Sequence, residues 1–404
     1  MSSDRERAAP RFRALFRASA LVGAVGLLFC LGMAWLWPER FYPAYLTAYM
    51  FWFGIASGSV AILLLHYLVG GAWGLALRRP LEAGAITLIP LALLFIPIGL
   101  GMHHLYEWAD ASVVAASVDL TRKQAYLNPE AFLIRAAGYF TLWITAALLL
   151  NRWSSRQDGT DDPAPTKWLE AFSGPALVLY FLSTTFAMID WLMSLEPAWA
   201  STIYGAMLIV GHGLGAFAFM TAVAAYLGES GFTKRAAERE TSAELGNLLL
   251  SFIMLWAYMA FSQFLIVWSG NLSDEIPWYV RRMRGGWQWV AIGLIAFHFV
   301  APAAVLFSQE AKRKLGVLLR VSIVVVALRF VDLCWLILPA RFEPRLTHIP
   351  WDEVGMALVA VLGIGGTFMA TFSARLASRP LESLRTVERD RVVGLSSIVG
   401  EGAR

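Results

Sequence analysis

Ten long apolar runs constrain this chain more than any other feature of its sequence. Each run holds about 20 residues, the length that a helix needs to cross about 30 Å of hydrocarbon. Of the 404 residues, 58% are hydrophobic and only 15% are charged, whereas a soluble domain carries about 25% charged residues. Membrane-spanning strands would be half as long and would alternate in polarity. The sequence therefore predicts an all-α, polytopic membrane protein with ten transmembrane helices.

The runs divide the chain into three parts. The first run is too long for the apolar region of a signal peptide and ends without a small-residue cleavage site, so we expect it to be retained. We predict a polar arm over residues 1–14, a membrane domain over 15–375 and a tail over 376–404. The ten runs are Leu15–Trp37, Tyr45–Val69, Ala83–Leu105, Ala131–Leu150, Ala171–Asp190, Trp199–Leu227, Leu245–Ser269, Trp287–Phe307, Val317–Leu338 and Val354–Arg375.

The basic residues predict the orientation of the chain. With ten runs both termini lie on one side, and that side receives 23 of the 33 lysines and arginines, against 9 on the opposite side. Loops that stay in the cytoplasm are enriched in lysine and arginine. We therefore expect a multi-pass protein of the bacterial cytoplasmic membrane with both termini in the cytoplasm. The net charge of +4 follows from this excess and gives no reason to expect a nucleic-acid partner.

Two similar stretches indicate an internal duplication. In FAMIDWLMSLEP (Phe186–Pro197) the aspartate Asp190 precedes a proline by seven residues, and in LRFVDLCWLILP (Leu328–Pro339) Asp332 does the same. We therefore predict one repeat over about 43–197 and a second over about 198–340. Each would be a four-helix bundle, and two flanking helices would complete the domain. Four helices return the chain to its starting side, so the repeats would be parallel.

Ten polar residues within or beside the runs are candidates for a proton path or a quinone site. A charge inside a bilayer is costly and usually has a partner or a function. A proton path needs groups that gain and lose protons, and a quinol site needs a proton acceptor beside an apolar slot. The candidates are His66, Glu82, His103, His104, Asp190, His212, Gln263, His298, Arg329 and Asp332. We assign no catalytic residue and no metal ligand.

Other interpretations of these residues remain open. Arg329 and Asp332 are three residues apart on one predicted helix and could simply neutralise each other. His212 and His298 have a similar predicted depth, as two ligands of a haem b would. Secondary transporters also contain parallel repeats, although few of the runs are broken by glycine or proline at their centres. Cys30 and Cys334 have no CxxC spacing, so no iron–sulfur or haem c ligation is encoded here.

Four motifs together resemble a known family. They are YLNPEAFLIRAAGYF (Tyr126–Phe140), IDWLMSLEP (Ile189–Pro197), STIYGAMLIVGHG (Ser201–Gly213) and WSGNLSDEIPWYVRRMRGGW (Trp268–Trp287). Their order resembles the smaller of the two homologous ten-helix membrane subunits, the F subunit, of bacterial alternative complex III. That family belongs to the NrfD-like polysulfide reductase superfamily. The resemblance extends from about Leu15 to Arg375.

The resemblance implies a function within an assembly. It implies a respiratory quinol:cytochrome c oxidoreductase in which this chain supports quinol oxidation and proton conduction but is not catalytic alone. The implied partners are a homologous quinol-binding membrane subunit, periplasmic iron–sulfur and haem c subunits, lipids and a terminal oxidase. The implied ligand is a quinone such as menaquinone, with no covalently bound cofactor in this chain. The outer loops 106–130, 270–286 and 339–353 are the predicted contact surfaces for the periplasmic partners.

Overall fold

The computed structural model describes residues 2–159, 162–233, 235–340 and 348–381, and within these ranges it confirms the all-α architecture. Ten helical segments in this part of the chain are long and apolar enough to cross a membrane. We call them spans 1 to 10. Their bounds are Pro10–Leu36, Pro38–Val69, Ala72–Leu100, Pro129–Asp158, Ala164–Leu195, Tyr204–Glu229, Arg239–Gly270, Trp287–Phe307, Leu315–Ala340 and Trp351–Ser378.

The two faces of the domain are named from the course of the chain. Successive spans cross in opposite directions, so span 1 begins and span 10 ends at the same face, which we call the terminal face. We call the other one the distal face. Short helices lie between spans at the distal face, over Ala111–Ala116, Val118–Lys123 and Ile276–Arg282. Part of the third predicted contact surface, residues 341–347, lies outside the described residues.

Two predicted boundaries were wrong near the terminal face. The third run was predicted to begin at Ala83, but the helix begins at Ala72, which places Arg78 and Arg79 on a span instead of in a loop. Residues 151–170 lie between the fourth and fifth predicted runs, yet one helix continues to Gly159 and the next begins at Ala164. A helix also begins at Ser2 and continues without a break into span 1.

Spans 2 and 6 form the centre of the domain. In their most apolar windows 89% and 72% of the residues are buried, more than in any other described span. They pack closely because small residues face each other: a Cβ at Gly58 would lie 2.3 Å from the carbonyl oxygen of His212. Such close approach of backbones is typical of helix packing in membranes, where glycine permits it.

The remaining spans surround this central pair. Span 2 contacts spans 3 and 5, and span 6 contacts spans 7 and 9. Spans 2–5 therefore form one bundle, which we call the first bundle, and spans 6–9 form the second bundle. This arrangement fits the predicted duplication, which remains a prediction. Span 10 packs against span 2, and span 1 packs along span 10 at the edge of the molecule.

Two spans depart from a regular α-helix. Span 3 consists of three helices, with interruptions at Thr87 and Phe95. Each interruption lies close to a proline, Pro90 or Pro97, which lacks the N–H that would bond the preceding turn. Span 8 contains a seven-residue π-helix over Leu294–Val300, followed by Pro302. These interruptions were not predicted, because few of the runs have glycine or proline at their centres.

Candidate functional site

A largely apolar cavity of about 630 Å³ lies in the second bundle, between spans 7, 8 and 9. Its volume is within the range of small-molecule sites. Aromatic and methionine side chains form most of its wall, among them Met207, Met254, Phe261, Phe264, Trp278, Tyr279 and Trp335. Tyr258 and Phe261 are 65% and 61% exposed, so the cavity reaches the outer surface of the bundle, where lipid would lie.

The two charged residues of the cavity wall are Arg329 and Asp332 of span 9. Both are 4% exposed, and Arg329 Nη1 donates to Asp332 Oδ2. Trp256 Nε1 donates to the same carboxylate oxygen at 3.2 Å. Arg329 Nη2 is buried and has no hydrogen-bond partner among the described residues. The neutralising pair that the spacing allows is therefore present, but one donor of its arginine remains unused.

Two buried histidines lie close to this pair. His298, on the π-helix, is fully buried and its ring meets that of Trp256 edge to face at 4.5 Å. His212 packs against Gly54 and Phe53 of span 2. In the described part of the chain neither ring has a hydrogen-bond partner. Neither histidine lines the cavity. A π-turn in a membrane helix often marks a functional site.

The corresponding interior of the first bundle is filled with aromatic rings. Trp191 lies 4.6 Å from Phe95 and 5.1 Å from Phe53, measured between ring centroids. Phe140 stacks on Trp191 at 5.6 Å, and Trp143 is 5.9 Å from Trp191. These rings pack the interior of the first bundle, whereas the second bundle contains the large cavity.

Asp190 is held in an ion pair at the distal end of the first bundle. The side chain is fully buried, and Arg135 of span 4 binds both of its oxygens, at 2.9 Å and 3.0 Å. Tyr139 donates a third hydrogen bond at 3.0 Å. Arg135 also lies over the ring of Tyr126, with its carbon 4.0 Å from the centroid. Arg135 lies inside the predicted run Ala131–Leu150, but its pairing with Asp190, 55 residues away, was not predicted.

A second, more polar cavity of about 330 Å³ lies at the distal face, where the two bundles meet. His103 and His104 line it together with Glu39, Glu107 and Asp110. His104 Nδ1 is 2.6 Å from Glu39 Oε1. Burial raises the pKa of Glu107 above its ordinary value, and the Arg281 guanidinium opposes that shift. Asp190, another candidate residue near the distal face, does not line this cavity.

The distal end of the second bundle contains an ion cluster that sequence analysis missed. Arg282 is 1% exposed and donates to Glu196 Oε1 at 2.8 Å and to the carbonyl of Leu336 at 2.7 Å. Arg281 donates to the other oxygen of Glu196 at 2.5 Å. Burial lowers the pKa of Arg282, and Glu196 opposes that shift. Nearby, Gln263 accepts a hydrogen bond of 2.6 Å from Ser201.

Glu82 and His66 lie at the terminal face of the first bundle. Glu82 is 3% exposed and accepts hydrogen bonds from Arg78 at 3.1 Å and Arg79 at 2.7 Å. Ser154 of span 4 also donates to it. His66 is 6% exposed, rests against Gly74 and leaves its Nδ1 without a hydrogen-bond partner among the described residues.

The ten candidate residues therefore belong to separate clusters. The structure brings Arg329 and Asp332 together in the wall of the large cavity and places His298 behind that wall, against Trp256. It separates these from Asp190, from the distal histidines and from the Glu82 cluster. In the described part of the chain, no group of three or more His, Cys, Asp or Glu residues is arranged to hold a metal ion.

The fold and its buried polar clusters define a multi-pass helical membrane protein. Comparison with known proteins adds no closer assignment: no family model matches the chain, and no curated protein is significantly similar to it.

Proposed function

We propose that this chain is an integral membrane subunit of a quinol:cytochrome c oxidoreductase like alternative complex III, and that its large cavity binds a quinone. One observation carries the proposal: the buried Arg329–Asp332 pair forms part of the wall of an apolar cavity of about 630 Å³. The four motifs of the resemblance support the same class of complex.

The side chains of the cavity match the chemistry of a quinone. The aromatic and methionine wall suits an isoprenoid tail, and its exposed members, Tyr258 and Phe261, would let the tail extend into lipid. Arg329 Nη2, which is buried without a partner in the described structure, would donate to a quinone carbonyl. A hydrogen bond from a charged donor is worth roughly twice a neutral one.

Asp332 would act as the proton acceptor. Oxidation of a quinol releases protons from its two hydroxyl groups, and a carboxylate within hydrogen-bond reach can accept one of them. Arg329 and Trp256 hold the carboxylate in place. The neighbouring rings of His298 and His212 are titratable groups that a proton could reach next. The electrons would pass to haem c and iron–sulfur subunits of the complex.

The proposed orientation places the terminal face in the cytoplasm. The excess of 23 basic residues over 9 supports it. The distal face, with its short helices, would then meet the periplasmic partners and the homologous quinol-binding subunit.

Photolabelling of the purified complex tests the quinone site. In the wild-type complex a photoreactive quinone analogue should label peptides of spans 7 to 9. Ala257→Phe should reduce that labelling about tenfold, because Ala257 lines the cavity and a benzyl group would fill its wall. Leu255→Phe is the matched control, since Leu255 is 42% exposed and lies outside the cavity wall. Equal labelling of both variants, or labelling confined to another subunit, would refute a quinone in this cavity.

A secondary transporter is the second candidate function. It is favoured by the interruptions in spans 3 and 8, because transporters build substrate sites at broken helices. Mild-detergent purification distinguishes the two proposals: haem c and iron–sulfur subunits should co-purify with an oxidoreductase subunit but not with a transporter.

A further inference from the structure

A cluster of arginines lies at the terminal face, where spans 3, 4 and 10 meet. Among the residues that the structure describes, four guanidinium groups and two carboxylates form it, so positive charge is in excess in this part of the chain. The members are Arg78, Arg79, Glu82, Asp158, Arg375 and Arg379.

Both inner arginines of this cluster form ion pairs. Arg78 and Arg79 are 5% and 6% exposed, and both pair with Glu82 and with Asp158. Ser154 accepts further hydrogen bonds from Arg78, the shortest at 2.6 Å. These contacts fix span 3 against span 4.

The two outer arginines, Arg375 and Arg379, make only weak polar contacts with the other described residues. Arg379 makes long contacts, 3.3 Å to Glu82 and 3.4 Å to the carbonyl of Asn151, and its side chain is 25% exposed. The guanidinium of Arg375 is half-buried and has no hydrogen bond or ion pair with another described residue. Arg79 Nε is buried and likewise lacks a partner within the described structure. N–H donors of Arg79, Arg375 and Arg379 are thus available around one small cavity of about 10 Å³.

We propose that this cluster binds the phosphate of an anionic phospholipid. The cavity is large enough only for a water molecule, so the phosphate would rest at its mouth on Arg375 and Arg379, with water between it and Arg79. Planar guanidinium groups bind phosphate oxygens in pairs. Basic pockets between membrane helices at the cytoplasmic side bind anionic headgroups in this way.

A lipid is favoured over a soluble anion by the position of the cluster. It lies at the ends of spans, at the depth of the headgroups. Leu148 of span 4, about one turn deeper than Asn151, is 47% exposed and offers an apolar surface to an acyl chain. The same phosphate chemistry could also hold inorganic phosphate, so the experiment must separate the two sources.

Native mass spectrometry of the full-length protein in its complex tests the proposal. Wild-type protein reconstituted with phosphatidylglycerol or phosphatidylcholine should retain phosphatidylglycerol preferentially after mild delipidation. The variant Arg375→Gln/Arg379→Gln should retain about tenfold less, because two cationic contacts are removed. The control Arg313→Gln/Arg320→Gln removes the same charge at the same face from two exposed residues. Arg375→Gln alone, which breaks no ion pair with a described residue, serves as a second variant that should fold normally.

Three results would overturn the proposal. Equal retention of phosphatidylglycerol by the Arg375→Gln/Arg379→Gln variant and by the control would mean that lipid binding depends on net charge and not on a specific site. A phosphate adduct without lipid preference would assign the cluster to a soluble anion. Retention of phosphatidylglycerol that appears only after deletion of residues 382–404 would mean that the tail itself, with Glu382 near its start, occupies the arginines.

Discussion

Asp190 and Asp332 occupy equivalent positions in the sequence but have different surroundings. Asp190 receives two hydrogen bonds from Arg135 on a neighbouring span and one from Tyr139. Asp332 pairs with Arg329 on its own helix and borders an open cavity. The first carboxylate therefore joins two spans, whereas the second is accessible to a ligand. We expect their substitutions to affect different properties.

Asp190→Asn should destabilise the protein. The substitution leaves the Arg135 guanidinium without its counter-charge. Because the Arg135 side chain is 21% exposed, the cost should be lower than the about 3–5 kcal/mol for a fully buried pair. Thermal unfolding of the detergent-solubilised complex measures the effect. Asp274→Asn, at an exposed distal position, is the control and should leave the melting temperature unchanged. An unchanged melting temperature for Asp190→Asn would show that the pair does not stabilise the fold.

Asp332→Asn should lower quinol oxidation because the proton acceptor is lost, and it should also destabilise the protein, because it leaves the buried Arg329 without its counter-charge. An amide cannot accept a proton, whereas it keeps the shape of the side chain and its contact with Trp256. General-base catalysis contributes typically 10²–10⁴-fold, so we expect turnover with a quinol substrate to fall at least tenfold. Assembly and haem content are measured in the same preparation. Normal turnover in an intact complex would remove Asp332 from the proton path.

Sequence patterns could identify which residues are buried and polar, but not which residues pair. The spacing of Arg329 and Asp332 on one helix predicted their contact because helical geometry fixes it. The pairs Asp190–Arg135 and Glu196–Arg282 join segments that are 55 and 86 residues apart. No local feature of the sequence distinguishes the buried Arg282 from the exposed basic residues beside it. Tertiary packing alone decides which arginine becomes buried.

At the scale of elements, spans 1 and 10 are joined mainly through glycine. A Cβ at Gly366 would lie 2.3 Å from the backbone nitrogen of Gly23, and one at Gly26 would lie 2.6 Å from the Cα of Gly363. Real Cβ atoms do not approach a backbone so closely. The two helices therefore contact each other backbone to backbone, a geometry that depends on small residues.

Gly366→Ala should separate span 1 from span 10 and destabilise the protein. Because its methyl group would meet main-chain atoms of span 1, the helices must move apart and lose dispersion contacts. Gly32→Ala is the matched control, since a Cβ there meets no atom within 4 Å; it should be neutral or stabilising by about 0.5–1 kcal/mol. Thermal unfolding of the two variants compares them. Equal melting temperatures would contradict the close packing.

The interruptions in spans 3 and 8 show where sequence patterns were insufficient. A hydropathy pattern records length and apolarity, and both spans satisfy it. The breaks depend on single prolines, Pro90, Pro97 and Pro302, whose effect varies with the hydrogen bonds that neighbouring helices can supply. The number and approximate position of the spans were therefore predictable, but the π-helix that holds His298 was not.

At the scale of the whole molecule, the two bundles share a layout but differ in their interiors. Rings of Trp191, Phe140 and Phe95 fill the first bundle, while the second contains the cavity. If the halves arose by duplication, ligand binding is expected in one half only. The two similar stretches predict a duplication, which remains a prediction, and packing of aromatic side chains across helices has no periodic signature that would locate the cavity.

The orientation of the whole domain can be tested with fusions. The basic residues predict a cytoplasmic terminal face, so alkaline phosphatase fused after Arg404 should be inactive and a fluorescent protein fused there should fluoresce. Fusions in the segment between spans 7 and 8, at Asp274, should give the opposite result. Active phosphatase at the C-terminus would contradict the proposed orientation.

The burial of span 2 has a consequence for biosynthesis. This helix leaves the ribosome second, yet its most apolar window is 89% buried, and Trp52 bonds to the carbonyl of Val361, which is synthesised 309 residues later. Until span 10 is made, the indole N–H of Trp52 lacks this acceptor. A nascent chain truncated before span 10 would thus leave that donor unpaired at the surface of span 2, a feature by which membrane quality-control proteases could recognise it.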